Sequence, residues 1–355
     1  MLKDALCEAL ALARIPGLSI ATLRAGEIAS VHALGIRGAH DGAEVDTHTV
    51  FEAASLTKPL VAFIALQLAE EGRLDLDAPL QTLCPGNAQG DTRAASITAA
   101  HVLSHTSGFP NIVSEATPLK TYYPPGDRFN YGSSAFGWLQ RAMETTTASS
   151  LEQLARERIF TVLSMPDSSM NWQERFESNH AQGQEEDGQA VAKRRPAAAA
   201  ASWSLHTTAS DYARFIKAVL RGEGLSPGMH ARWFAPAIQA REGVDDVLNP
   251  DAALAEGVAW GLGWGLEPSQ GSFFHWGNIS GFRAFVIGNR HTGDAAVWFA
   301  NSARGLQLAH HILPSVVPGD HPSLGWLQIP RVGLSFIPCN ADPAGQHGHR
   351  SAPEH

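Results

Sequence analysis

The 355-residue chain carries 26 Lys+Arg against 35 Asp+Glu, a formal net charge of -9, with 44% hydrophobic and 17% charged residues. That balance is typical of a soluble globular protein rather than a disordered or fibrous one, and the negative charge disfavours phosphate backbones and anionic lipid, so neither nucleic acid nor membrane partners are expected. Cys7, Cys84 and Cys339 are widely spaced and odd in number, which suggests neither a disulfide framework nor a zinc site.

In chain order, an opening helix-like stretch ends near Arg14-Ile15-Pro16-Gly17. Leu18–Leu23 and Ile28–Leu34 then read as two strands joined at Gly26, a β-hairpin. Acidic Asp4 and Glu8 interrupt any export-type apolar run, and no segment approaches the roughly 18 apolar residues of a membrane span. A cytoplasmic location is therefore expected, or a periplasmic one if an export segment has been removed. From Ser55 to Gly72, apolar Leu60, Phe63, Ile64, Ala65 and Leu68 recur at helical spacing. Pro59 falls in the first turn, where a missing N–H costs least.

Helix-like segments follow at Ser134–Thr145, Leu151–Leu163 and Ser210–Leu220, with a polar stretch at Glu174–Lys193 that reads as an exposed loop. Strand patterns return at Trp260–Leu266, Gly281–Asn289 and Ala295–Asn301, and Gln307–Pro314 resembles a last helix. Strands at both ends of a helical middle predict an α/β fold. The expected division is an α/β lobe of about 1–80 plus 255–335, a helical lobe of about 81–254, and a polar tail over 336–355.

Ser55-Leu56-Thr57-Lys58 stands at the helix start. A separation of three places both side chains on one helix face. A serine hydroxyl needs a base to become a nucleophile, and a lysine can serve when burial or nearby positive charge disfavours its ammonium form. Free N–H groups at the helix start, including that of Ser55, can face a developing oxyanion. The same residues also fit an ordinary N-cap serine and a solvated lysine. Context decides between the two.

Ala54-Ser55-Leu56-Thr57-Lys58, followed by Leu103-Ser104-His105-Thr106-Ser107-Gly108, resembles the serine β-lactamase and penicillin-binding-protein superfamily. The branch that it is most similar to holds class C β-lactamases, D-amino-acid peptidases and family VIII carboxylesterases. The resemblance continues in order through Asn130-Tyr131-Gly132-Ser133, Gly261-Leu262-Gly263-Trp264 and His275-Trp276-Gly277-Asn278, from about residue 15 to 310. It implies a β-lactamase/transpeptidase-like fold, an antiparallel sheet flanked by helices with an inserted mainly helical lobe. It implies Ser55 as the acylated nucleophile, Lys58 as its base, Tyr131 as proton relay and His275 as a donor whose charge depends on pH. The N–H groups of Ser55 and Asn278 would form the oxyanion hole, with Gly277 allowing the close approach. No cofactor or metal is implied.

Two positions depart from the family pattern. Ser133 stands where β-lactamases and peptidases usually carry Asn, and His275-Trp276 stands in place of Lys-Thr. A wall of this kind loses much of its grip on the carboxylate that β-lactams and D-alanyl peptides present. The expectation is a serine hydrolase acting on small ester or amide substrates. The alternatives are a β-lactamase or D-alanyl-D-alanine peptidase, or a binding protein that kept the fold and lost the reaction. Intact Ser55, Lys58 and Tyr131 argue against the last.

Three further signals carry less. Gly224-Leu225-Ser226-Pro227-Gly228 has the form of a nucleophile elbow but lacks the strand that must precede it, and reads as a surface turn. His101 and His105 have the spacing of helical metal ligands without an intervening Glu. Asn278-Ile279-Ser280 is formally a glycosylation acceptor, which its place on the expected active-site strand argues against.

Overall fold

The computed structural model describes residues 2–38, 42–86, 90–244, 247 and 249–331. The expected tail and Cys339 lie outside the described residues. Helix α1 (Leu2–Ala13) leads into the hairpin β1 (Gly17–Arg24) and β2 (Glu27–Gly35), and β3 (Phe51–Glu52) precedes α2 (Thr57–Glu70). The chain then runs through α3 (Ala99–Leu103), α4 (Phe136–Thr147), α5 (Leu151–Ala155), β4 (His206–Thr207), α6 (Ala209–Arg221) and α7 (Pro227–Trp233). It returns to strands at β5 (Ile238–Arg241), β6 (Leu254–Trp260), β7 (Gly265–Glu267), β8 (Ser272–Ile279), β9 (Phe282–Asn289) and β10 (Ala295–Ala300). Helices α8 (Ala309–Val316) and α9 (Pro322–Trp326) close the described fold.

The main sheet is antiparallel, in the order β2-β1-β10-β9-β8-β7-β6-β5, while β3 pairs with β4 apart from it. Its central strands are covered on both faces, so β10 is buried along its whole length and reads as a continuous apolar run. One core, with Leu60, Phe63, Ile64 and Phe215, lies between the sheet and α2 and α6. The other, with Leu6, Leu10, Ile312, Leu313 and Trp298, lies beneath α1 and α8. Helix α2 is buried on nearly every side from Thr57 to Leu66, the pattern of a central helix rather than a surface one. No helix among the described residues is long and apolar enough to cross a membrane.

The structure differs from the sequence reading in three places. The sheet resumes inside the stretch assigned to the helical lobe, because Ile238–Arg241 pairs with β6 ahead of residue 255. The expected strand Trp260–Leu266 is broken in two, since Gly263 turns with a φ of +97° and packs against Ala62 of α2. The segment Glu174–Lys193 is not simply exposed. Phe176, His180 and Ala181 are buried, and Ala181 N–H donates to the Val50 carbonyl at 2.9 Å.

Candidate active site

The turn before α2 is held from several directions. Thr57 Oγ1 donates to the Ala54 carbonyl at 2.6 Å and accepts from Leu205 N–H at 3.0 Å. Ala53 N–H donates to the Leu205 carbonyl at 2.9 Å, and Tyr212 Oη donates to the Leu56 carbonyl at 3.0 Å. These bonds keep Ala54 at a φ of +50°, a left-handed conformation that an alanine does not adopt freely. The next residue is Ser55, half-buried at the cavity floor.

Lys58 is fully buried, and its Nζ donates to Ser55 Oγ at 2.9 Å and to the Ser202 carbonyl at 2.9 Å. Burial pushes its pKa well below the ordinary 10.5. With the amine neutral, the Ser55 contact can reverse, the hydroxyl donating to the nitrogen lone pair. The Nζ also stands 5.0 Å from the centre of the Tyr131 ring and 5.3 Å from that of Phe136.

Tyr131 is buried between His105, whose ring stacks on it at 4.2 Å and 26°, and Trp276 at 4.9 Å. Burial raises its phenol pKa, and the nearby Ser55 hydroxyl pulls it back in part without reaching hydrogen-bond geometry. The phenol is therefore held neutral. His105 Nδ1 accepts from Gly132 N–H at 3.1 Å, fixing the backbone beside Tyr131. Tyr131 Oη, His105 Nε2 and His275 Nε2 are all buried with no hydrogen-bond partner among the described residues.

The sequence reading left the charge of His275 to depend on pH, and its surroundings oppose the charged form. Burial, with Lys58 adding to it, pushes its pKa down to about 3, so the ring is neutral at physiological pH. Its Nδ1 lies 2.9 Å from both the N–H and the carbonyl of Trp276. Trp276, Asn278 and Ile279 line the cavity, while His275 is fully buried close to Lys58 and 6.2 Å, ring centre to ring centre, from Tyr131. Gly277 packs against the turn before Ser55: a Cβ there would be driven into the Ala53 carbonyl oxygen. That approach brings the backbone of Asn278 beside the backbone of Ser55.

The cavity has a volume of about 850 Å³. Ser55, Tyr131, Ser133, Trp276 and Asn278, all singled out in sequence, line it, with Lys58, His275 and Gly277 buried beside them. Sequence reasoning missed the Ser202 carbonyl on Lys58, the Asn111-Ile112-Val113 edge and Arg194, while Trp203, which from sequence could be core packing or pocket lining, lines the cavity. Arg194 bonds Glu52 at 2.9 Å and the Ser280 carbonyl at 3.2 Å, and so faces the cavity already paired.

The weaker signals resolve as packing. His101 closes a capping box with Thr98, whereas His105 turns away to Tyr131. Ser226 caps α7, its Oγ accepting from Met229 N–H at 3.2 Å, and it follows a helix rather than a strand. The Ser280 hydroxyl of the acceptor triplet bonds Glu185.

A family model described as Beta-lactamase matches residues 2–314. Penicillin-binding protein 4 of Amycolatopsis lactamdurans is 26% identical over 291 residues, covering 76% of this chain and 74% of that protein. Esterase EstB of Burkholderia gladioli is 36% identical over 103 residues, 28% of this chain and 26% of the esterase. The solved D-alanine carboxypeptidase AmpC from Burkholderia cenocepacia superposes with a TM-score of 0.72 at 21% identity, covering 89% of this chain and 99% of that one, a likeness of fold. With the family model matched over most of its length, the chain belongs to the beta-lactamase family, a family of serine hydrolases.

Proposed function

We propose that the protein is an acyl hydrolase that works through an acyl-enzyme on Ser55 and prefers esters or amides lacking a carboxylate beside the reacting carbonyl. The observation that carries the chemistry is the fully buried Lys58, its Nζ 2.9 Å from Ser55 Oγ. Neutral Lys58 takes the Ser55 proton as Oγ attacks the substrate carbonyl, and the N–H groups of Ser55 and Asn278 receive the oxyanion. The neutral Tyr131 phenol passes a proton to the leaving group and recovers one from Lys58. Water then repeats the sequence on the acyl-enzyme. His275, buried and neutral beside Tyr131 and Lys58, shapes the site rather than delivering charge.

The substrate preference is supported by what faces the cavity. Trp276 stands where a small hydroxyl would help to hold a carboxylate, and the Arg194 guanidinium is engaged by Glu52. The partial match to an esterase agrees with this reading. Two lobes meeting at the cavity, with Ser55 and β8 on one and Tyr131 and Ser202 on the other, belong to the same proposal.

Treatment with a fluorophosphonate followed by mass spectrometry should give one adduct on Ser55 and none on Ser55→Ala. On one preparation, uncharged p-nitrophenyl esters should be turned over faster than penicillins, cephalosporins or D-alanyl-D-alanine peptides. The reverse order would overturn the ester assignment while leaving the acyl-enzyme in place.

A further inference from the structure

The cavity mouth carries a feature that the chemistry at Ser55 leaves unused. Ile112 and Val113 line the cavity yet are 71% and 50% exposed. Among the described residues the other large apolar side chains this exposed, Val162 and Leu254, stand singly in the sequence. Scattered exposed apolar residues are ordinary, but two adjacent ones on the rim of a cavity form a surface with something to cover.

This rim is built. Asn130 Nδ2 donates to the Phe109 carbonyl at 2.6 Å and Ser134 Oγ donates to the Pro110 carbonyl at 2.6 Å, tying the rim to the segment that carries Tyr131 and Ser133. Beyond it, Thr117 Oγ1 donates to the Ile112 carbonyl at 2.7 Å, and Ser114 and Thr117 bond each other through backbone and side chain. The backbone that carries Ile112 and Val113 is thus tied to the segment bearing Tyr131 and Ser133, which limits the ordering a substrate must impose on it. Inside the rim the walls continue apolar through Trp203, Val244, Trp276 and Ile279. A volume of about 850 Å³ lies in the upper part of the range that drug-sized ligands fill, far beyond the needs of an acetyl group.

We infer that Ile112 and Val113 are specificity-determining residues that hold an extended apolar arm of the substrate, so that the preferred substrates are esters with a long or bulky apolar group. This rests on the acyl-enzyme reading above and names the substrate class for that site. The arm belongs to the acyl group or to the alcohol, and two ester series separate these sources.

The test uses p-nitrophenyl esters from acetate to decanoate, and acetate esters of lengthening alcohols, all below their micelle-forming concentrations. In at least one series kcat/KM should rise by about threefold per added methylene before levelling off. The double variant Ile112→Ser with Val113→Ser removes only exposed side chains, and should lower the ratio of long-chain to acetate kcat/KM by roughly tenfold. Val162→Ser, on a distant surface, should leave that ratio at the wild-type value. A flat or falling response in both series overturns the inference. So does a slope that survives the double variant, or a gain that begins only when micelles form. Fluorophosphonate labelling of Ser55 separates the two levels: labelling with a flat slope sinks this inference alone, whereas no labelling sinks the acyl-enzyme reading and this inference with it.

Discussion

Two buried titratable clusters flank the same sheet and are built in opposite ways. At the far end of β7, Glu267 accepts from His321 Nδ1 at 2.9 Å and from Ser323 N–H at 3.2 Å, while His321 Nε2 reaches the Val317 carbonyl at 2.7 Å. Every polar atom of that pair is used. Around Lys58, by contrast, Tyr131 Oη, His105 Nε2 and His275 Nε2 are left without partners among the described residues, and Ala54 is held in a left-handed conformation. Satisfied buried networks fix a structure, whereas unsatisfied ones reduce stability. The Glu267–His321 pair locks the C-terminal helices onto the sheet, and on the acyl-enzyme proposal the Lys58 cluster keeps bonding capacity in reserve for a reacting group.

The sharpest way to break this contrast is to replace Lys58. Lys58→Met should lower kcat/KM by at least about 10³-fold, as should Ser55→Ala. The same Lys58→Met protein should melt no lower than wild type, because a buried amine is removed. The sign follows from the depressed pKa: between that value and the ordinary 10.5 the unfolded chain binds more protons, so wild-type stability rises with pH. The advantage of Lys58→Met should therefore grow as pH falls from 10 to 7, by calorimetry. In wild type, the acidic limb of the kcat/KM profile should lie well below the ordinary lysine range. A limb near pH 10 would mean that burial does not depress the Lys58 amine and that it is charged at neutral pH.

Gly277→Ala comes next. A Cβ there meets the Ala53 carbonyl and would push β8 away from Ser55, so turnover should fall by about 10²-fold, the loss expected when one oxyanion donor is misplaced. Far-UV circular dichroism should stay unchanged; an equal loss of folded signal would make the glycine merely structural.

His321→Ala tests the other cluster and should show the opposite pattern. Removing one partner of a buried pair should cost about 3 kcal/mol of stability while kcat on an acetate ester stays within about twofold. Burial lowers the His321 pKa, but the bond and charge of Glu267 outweigh it and leave it raised. Its contribution is therefore complete below the ordinary 6.5 and lost as pH rises through the raised value. Denaturation at pH 6 should separate variant from wild type more than at pH 9.

The same contrast explains what could be read from sequence. Ser55, Lys58, Tyr131 and the β8 run, which the structure brings together, were legible because they stand in short local runs that resemble a family's motifs. The Ser202 carbonyl was not, because a backbone oxygen carries no residue-type signal and its contact with Lys58 spans 144 positions. His275 was legible as a residue but not as a neutral one, since its state is set by burial and by Lys58. The hairpin and the long helices followed from periodicity. The strand β5, only 4 residues long, did not, because so short a segment has no period to detect, and the expected strand Trp260–Leu266 joined the end of β6 to the start of β7.

Glu52 and Arg194 stand between the two clusters in kind, a buried carboxylate held to a guanidinium on the cavity wall at 2.9 Å. Burial raises the Glu52 pKa, and Arg194 only partly offsets this. If Arg194 is withheld from substrate by its partner, Glu52→Gln should release it. The amide fills the same space and still accepts a hydrogen bond, but no longer neutralises the cation. Substrates bearing a carboxylate, such as a cephalosporin or a D-alanyl-D-alanine peptide, should then gain about threefold in kcat/KM, the worth of one partly solvated ion pair. Uncharged esters should not change. Arg194→Gln in the same background should return the carboxylate substrates to their starting rate. A gain shared equally by charged and uncharged substrates would mean that Glu52 acts through the shape of the wall, and the argument from paired charge would fail.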